Sequence, residues 1–143
     1  MTAYPSPGQL LPHRGPAVLI DEILHQDAAG IRVRAAITAG HPFFEAGHGV
    51  PAWAGIEMMA QAVAAHAGLL GQRVGRGPRP GMLLGTRRYR ADVAWFAEGE
   101  ALDIYAATAF GQEGGMAACD CRIACDGRIL AEATIIIMEG ELP

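Results

Sequence analysis

The chain has 143 residues, 51% of them hydrophobic and 18% charged, which suits a single packed domain over 1–143 and excludes disorder as the main state. Its 11 basic residues, all arginine, stand against 15 acidic ones for a net charge of −4, a poor basis for binding nucleic acid. No apolar run reaches the ~20 residues of a membrane span, and residues Met1 to Gly8 carry no secretory signal pattern, so a cytoplasmic setting is expected.

The first apolar run, Ala17 to Leu24, is interrupted only by Asp21 and Glu22 and reads as a strand. In the next, Ile31, Val33, Ala35 and Ile37 alternate with Arg32, Arg34 and Thr38, the pattern of a half-solvated strand. His41 to Gly49 is a loop rich in glycine and aromatic residues. From about Pro51 to Gly71 the pattern predicts one long helix, apolar nearly all round through Ile56, Met58, Met59, Val63, Leu69 and Leu70. Such a helix must be covered on most of its sides. An Arg/Gly/Pro loop from Gln72 to Gly81 follows, and then four strands are expected: Met82–Ala91, Ala101–Phe110, Met116–Cys125 and Arg128–Met138. Gly111 to Gly115 and the pair Asp126-Gly127 supply the turns between the last three.

Cys119, Cys121 and Cys125 fit no zinc spacing and, with Ile123, alternate onto one strand face as small core hydrophobes. No His, Asp or Glu cluster has a metal spacing and no phosphate-cradling glycine loop follows a strand, so neither metal nor cofactor is expected. Two strands, one buried helix and four strands define an α+β chain in which an antiparallel sheet wraps a single apolar helix. That arrangement is the hotdog fold. Its apolar content and edge strands lead to the expectation of a dimer.

The segment Leu11-Pro12-His13-Arg14-Gly15-Pro16-Ala17-Val18-Leu19-Ile20-Asp21 resembles the N-terminal motif of the FabZ-type 3-hydroxyacyl-[acyl-carrier-protein] dehydratases. Phe43-Phe44, Gly47-His48 and the run from Gly55-Ile56-Glu57 to Gln61 are similar to their active-site loop and helix. Gly85 to Arg90 sits where that family has the strand after its helix. The stretch from Gly49 to Glu57 is closer still to a divergent branch, the dehydratase-like proteins of aryl-polyene biosynthesis clusters. The resemblance implies dehydration of acyl thioesters on an acyl carrier protein. It also implies edge-to-edge pairing of two subunits, so that His48 of one meets Glu57 of the other.

Dehydration of a 3-hydroxyacyl thioester needs a base at C2, an acid for the departing hydroxyl and polarisation of the carbonyl. A histidine suits the first role, here His48, and a carboxylic acid the second, here Glu57. Glu57 is the only acidic or arginine residue between Pro51 and Gly71; its other reading is a first-turn acid that complements the helix dipole. Gln61, one turn on, can orient Glu57 or be a satisfied buried amide. Backbone N–H groups around Gly55 could polarise the carbonyl. The FabZ-type loop is longer than this one. A gap after His48 leaves His48 in the catalytic position; a gap before it gives that position to something near Phe43. His13 with Arg14 reads as a loop contact anchoring the N-terminus, and His66 as a core or interface residue. His25 and His41 read as solvated.

Six of the arginines lie between Arg73 and Arg90. Arg87, Arg88 and Arg90 on the expected strand could dock an acidic carrier protein and its phosphopantetheine-linked acyl chain, or be a solvated edge. Two functional classes result: an active dehydratase, or a non-catalytic dehydratase-like partner in a heterodimer, favoured by the shortened loop. A thioesterase is a weaker third.

Overall fold

A computed structural model describes residues 4–72, 81–113 and 116–139. The first two strands, β1 (Glu22–Gln26) and β2 (Gly30–Ala36), form a hairpin. After a short strand β3 (Val50–Pro51) and a 3-10 turn over Ala52–Ala54 comes the helix α1 (Gly55–Gln72). The rest is strands: β4 (Gly81–Ala91), the two-residue β5 (Trp95–Phe96), β6 (Ala101–Glu113), β7 (Met116–Cys125) and β8 (Arg128–Glu139). Six of them make one antiparallel sheet in the order β1-β2-β6-β7-β8-β4, and β3 pairs with β5 beside it. The sheet lays its inner face on α1, with β6, β2, β7, β8 and β4 all touching the helix. This is the hotdog fold.

Alternation decides which side chains face the helix. On β2, Ile31, Val33 and Ala35 are buried and pair with Ala106, Ile104 and Leu102 of β6, also buried. Ile123 of β7 and Ile135 of β8 continue this inner layer against Met58 and Met59 of α1, which are fully enclosed. Each such side chain contributes roughly 1.5–3 kcal/mol by leaving water. Helix α1 begins where the 3-10 turn after Pro51 ends, and its Ala, Met, Leu and Gln content favours helix throughout. The two-residue turn Asp126-Gly127 has positive φ at both positions, 49° and 81°, and joins Cys125 to its partner Arg128. That is the hairpin geometry expected of an Asp-Gly pair.

Three sequence expectations shift. The strand expected from Ala17 begins only at Glu22, because the backbone before it pairs elsewhere: the Leu19 N–H donates to Gln61 Oε1 at 2.8 Å, and the Ala17 carbonyl accepts from Gln61 Nε2 at 2.7 Å. The cysteine face also divides. Cys119, Cys121 and Ile123 are buried, but the register slips between Ile123 and Ala124, and Cys125 is only half-buried. The slip is a bulge, which changes the phase of alternation along the strand. Thirdly, the helix's remaining cover comes in part from a segment assigned to no element: Leu10 and Leu11 are buried, with the Leu10 backbone against Gly68. Gly68 is therefore a seat for the N-terminal segment. The Arg/Gly/Pro loop after the helix, with Arg73, Arg76 and Arg79, and the end of the Gly111–Gly115 turn lie outside the described residues.

Candidate active site

Glu57 stands in the first turn of α1, on the side the sheet leaves uncovered, with its side chain 42% exposed. A cleft of about 650 Å³ opens beside it, lined by His13, Leu19, Phe43, Trp53, Ile56 and Glu57 among others. The cleft wall is otherwise apolar, and its mouth carries an edge-to-face aromatic pair, Phe43 and Trp53, with ring centroids 5.1 Å apart. Trp53 is 58% exposed. A larger groove of about 880 Å³ lies elsewhere, lined by Arg32, Tyr105, Asp120, Arg122 and Glu132 among others, and mixes both signs of charge.

Two side-chain nitrogens converge on one oxygen of Glu57. Gln61 Nε2 lies 3.3 Å and His13 Nε2 3.2 Å from Glu57 Oε1. Gln61 is almost wholly buried, and its amide has only one orientation that works. Its oxygen must accept the Leu19 N–H, so its nitrogen faces the Ala17 carbonyl and Glu57. Both amide hydrogens are then used, one on each acceptor. His13 reaches the site from the segment after Leu10-Leu11, where Arg14 donates to the His13 carbonyl at 3.2 Å. It does anchor the N-terminal segment, and the group it contacts is the carboxylate that the sequence placed in the chemistry. The signal was present in the Leu-Pro-His-Arg motif; what the sequence lacked was the 44-residue jump to Glu57.

His48 is held differently. Its ring stacks on Trp95 of β5 at 4.6 Å with an interplanar angle of 20°. Its backbone N–H donates to the Glu45 carbonyl within a tight loop that closes by a Glu45–Gly49 bridge. Within one chain the histidine at Glu57 is His13, and the structure does not bring His48 and Glu57 together. The Gly55 N–H, expected among the free donors, donates instead to the carbonyl of Ala52. That carbonyl also accepts the hydroxyl of Tyr89, whose burial pushes its pKa up to about 12. Gly55 matters for space: a Cβ there would meet Tyr89, Ile123 and Phe96.

Of the arginines, Arg87 and Arg88 are exposed on the edge strand β4 and make no ion pair among the described residues. Arg88 sits at φ 57° where the β4–β8 register breaks. Arg90 is engaged, 3.2 Å from Glu132 and 3.8 Å from Asp92. His66 is buried and bonds Gln26 at 3.1 Å. His25 is exposed beside Asp27, but His41 is half-buried, and its desolvation lowers its pKa. Burial raises the thiols of Cys119, to about 11, and Cys121, further still, which is the condition of inert core cysteines. Among the described residues no three His, Cys, Asp or Glu side chains gather as a metal site, and no helix is long and apolar enough to cross a membrane.

The fold defines a hotdog protein with a carboxylate at the start of its central helix. Residues 5–142 match the family described as ApeP-like, ApeP dehydratase. The chain belongs to this family, the divergent branch that its sequence resembles. Among solved structures it is similar to the dehydratase heterocomplex ApeI:P from Xenorhabdus doucetiae, with a TM-score of 0.90 at 27% identity over 96% of this chain and 93% of that one. It shares its fold with a hypothetical thioesterase bound to coenzyme A from Streptococcus pneumoniae, TM-score 0.65 at 15% identity over 83% and 84% of the two chains. The E. coli PaaI protein is likewise similar in fold, TM-score 0.62 at 13% identity over 81% and 80%.

Proposed function

We propose that the chain is a subunit of a dehydratase that removes water from 3-hydroxyacyl thioesters held on an acyl carrier protein, in polyene biosynthesis. The observation that carries this reading is Glu57: a carboxyl group at the mouth of an apolar cleft, one oxygen held by Gln61 and His13, the other left for a substrate. In the reaction a base takes the C2 proton, the C2–C3 double bond forms, and Glu57 protonates the C3 hydroxyl as it leaves as water. The base comes from across the subunit boundary, the position the family resemblance gives His48. A second hotdog subunit completes the site, and the similarity to a chain of the ApeI:P heterocomplex supports a heterodimer over a homodimer.

The second reading, a non-catalytic partner that stabilises an active dehydratase, is favoured by the stacking of His48 on Trp95, which gives that ring a structural task. One experiment separates the two. The chain is purified alone and with a second hotdog dehydratase subunit, the mass of each preparation is measured by light scattering, and both are given a 3-hydroxyacyl carrier protein. Loss of 18 mass units from the acyl chain is followed by mass spectrometry. The catalytic reading expects a two-subunit assembly whose turnover falls at least 10²-fold with Glu57→Gln in this chain, without loss of thermal stability. Turnover indifferent to Glu57→Gln gives the function to the partner.

A further inference from the structure

We propose that His13 is the positioning residue of Glu57: it acts as a neutral Nε2–H donor that, with Gln61, holds Oε1 and so leaves Oε2 to carry the transferred proton. This rests on the reading of Glu57 as the acid, and deepens it.

Gln61 can only donate toward Glu57, because its oxygen is committed to the Leu19 N–H at 2.8 Å. His13 Nε2 lies 3.2 Å from the same oxygen, and His13 Nδ1 is buried with no partner among the described residues. Three states of the ring are available. In the Nδ1–H tautomer and in the imidazolium, a buried N–H is left without an acceptor. In the Nε2–H tautomer the donor faces the carboxylate, and the buried atom is a lone pair, the less costly group to leave unpaired. The geometry therefore selects the Nε2–H form. With two donors on Oε1, a proton on that oxygen would displace one of them, whereas Oε2 has no such competitor among the described residues. A carboxylic acid is useful only if its proton faces the substrate, and the pair of donors fixes which oxygen does so. The ring also ties the N-terminal segment to the helix, so acid and cleft wall move as one body.

The test has two arms, the first independent of activity. Nitrogen NMR of the histidine rings, with the His13 signals assigned through His13→Gln, should report the neutral Nε2–H tautomer at pH 7.5. The Nδ1–H tautomer or an imidazolium overturns the proposal, whether or not the protein is a dehydratase. In the second arm the assembled enzyme carries His13→Ala or His13→Gln. A positioning role expects kcat at least tenfold lower in the alanine variant with KM within threefold. The glutamine variant, whose side chain can also donate an N–H, should recover most of that loss. An alanine variant with unchanged kcat, or a glutamine variant as impaired as alanine with its fold intact, overturns it. If Glu57→Gln is harmless in the same assay, the acid reading fails on its own, and the tautomer still decides the geometry.

Discussion

Tyr89 and Gln61 illustrate how single residues around the helix start carry more than one task. Tyr89 closes the turn before α1 by donating to Ala52, and burial is the sole cause of its raised pKa. Cys119 is raised for the same reason first, and by Asp120 second. Both groups hold their proton more tightly folded than unfolded. The unfolded chain thus binds fewer protons once pH passes the ordinary values of 9.0 and 10.0, and stability falls from there toward the folded values of about 11 and 12. Melting temperatures should be flat from about pH 7 to pH 9 and decline between about pH 9 and 12. In Tyr89→Phe the protein should start lower by about 1 kcal/mol for the lost hydrogen bond, but its alkaline decline should be shallower. Parallel declines in the two proteins would show that Tyr89 ionisation is not part of it.

At the scale of the element, the distance between α1 and the sheet is set at Gly55. A Cβ at that position would come within 2.5 Å of the Tyr89 hydroxyl, 2.9 Å of Ile123 Cδ1 and 3.3 Å of Phe96 Cζ, groups from β4, β7 and β5. Three strands thus crowd the first residue of the helix, where gain in helix propensity is small because the turn before it is already formed. Gly55→Ala should therefore destabilise the protein by ~1–3 kcal/mol, the usual cost of overpacking, read as a lower urea midpoint with an unchanged slope. An unchanged midpoint would mean that the helix can retreat from the sheet at no cost. The N-terminal segment belongs to this scale as well. Leu10 and Leu11 supply cover the helix lacks, and the same chain run delivers His13 to Glu57. Packing and chemistry are linked by three residues of sequence.

For the whole molecule, the sheet ends in two unlike edges. β1 is five residues long, whereas β4 is eleven and broken by register slips after Leu83 and around Arg88. Such irregularities limit unwanted strand pairing, and the second one displays Arg87 and Arg88 with no ion-pair partner among the described residues. On a molecule of net charge −4, a local pair of free cations is suited to steering an acidic carrier protein. Replacing both by glutamate should weaken carrier-protein binding at least tenfold at low salt and flatten its salt dependence, with no change in melting temperature. Arg90→Glu should act mainly through its lost contacts with Glu132 and Asp92. Equal affinities for wild type and the double variant across a salt series would remove this edge as the docking surface.

What the sequence determined by itself was whatever depends on local periodicity. The alternation of Ile31, Val33 and Ala35, the apolar continuity of the helix, and the positive-φ turn at Asp126-Gly127 each follow from neighbouring residues. With the element order, they led to the hotdog sheet and its helix, and the motif around Glu57 led to the family. Tertiary structure decided what rests on partners distant in the chain. Leu19 and Ala17 give their backbone groups to Gln61 and not to a strand, and the slip at Ile123 turns Cys125 from its expected face. His13 meets Glu57 across 44 residues while His48 lies on Trp95. Hydrogen-bond partners and bulges are chosen by the energy of the assembled core, in which every buried donor needs an acceptor. No spacing within one element records that choice.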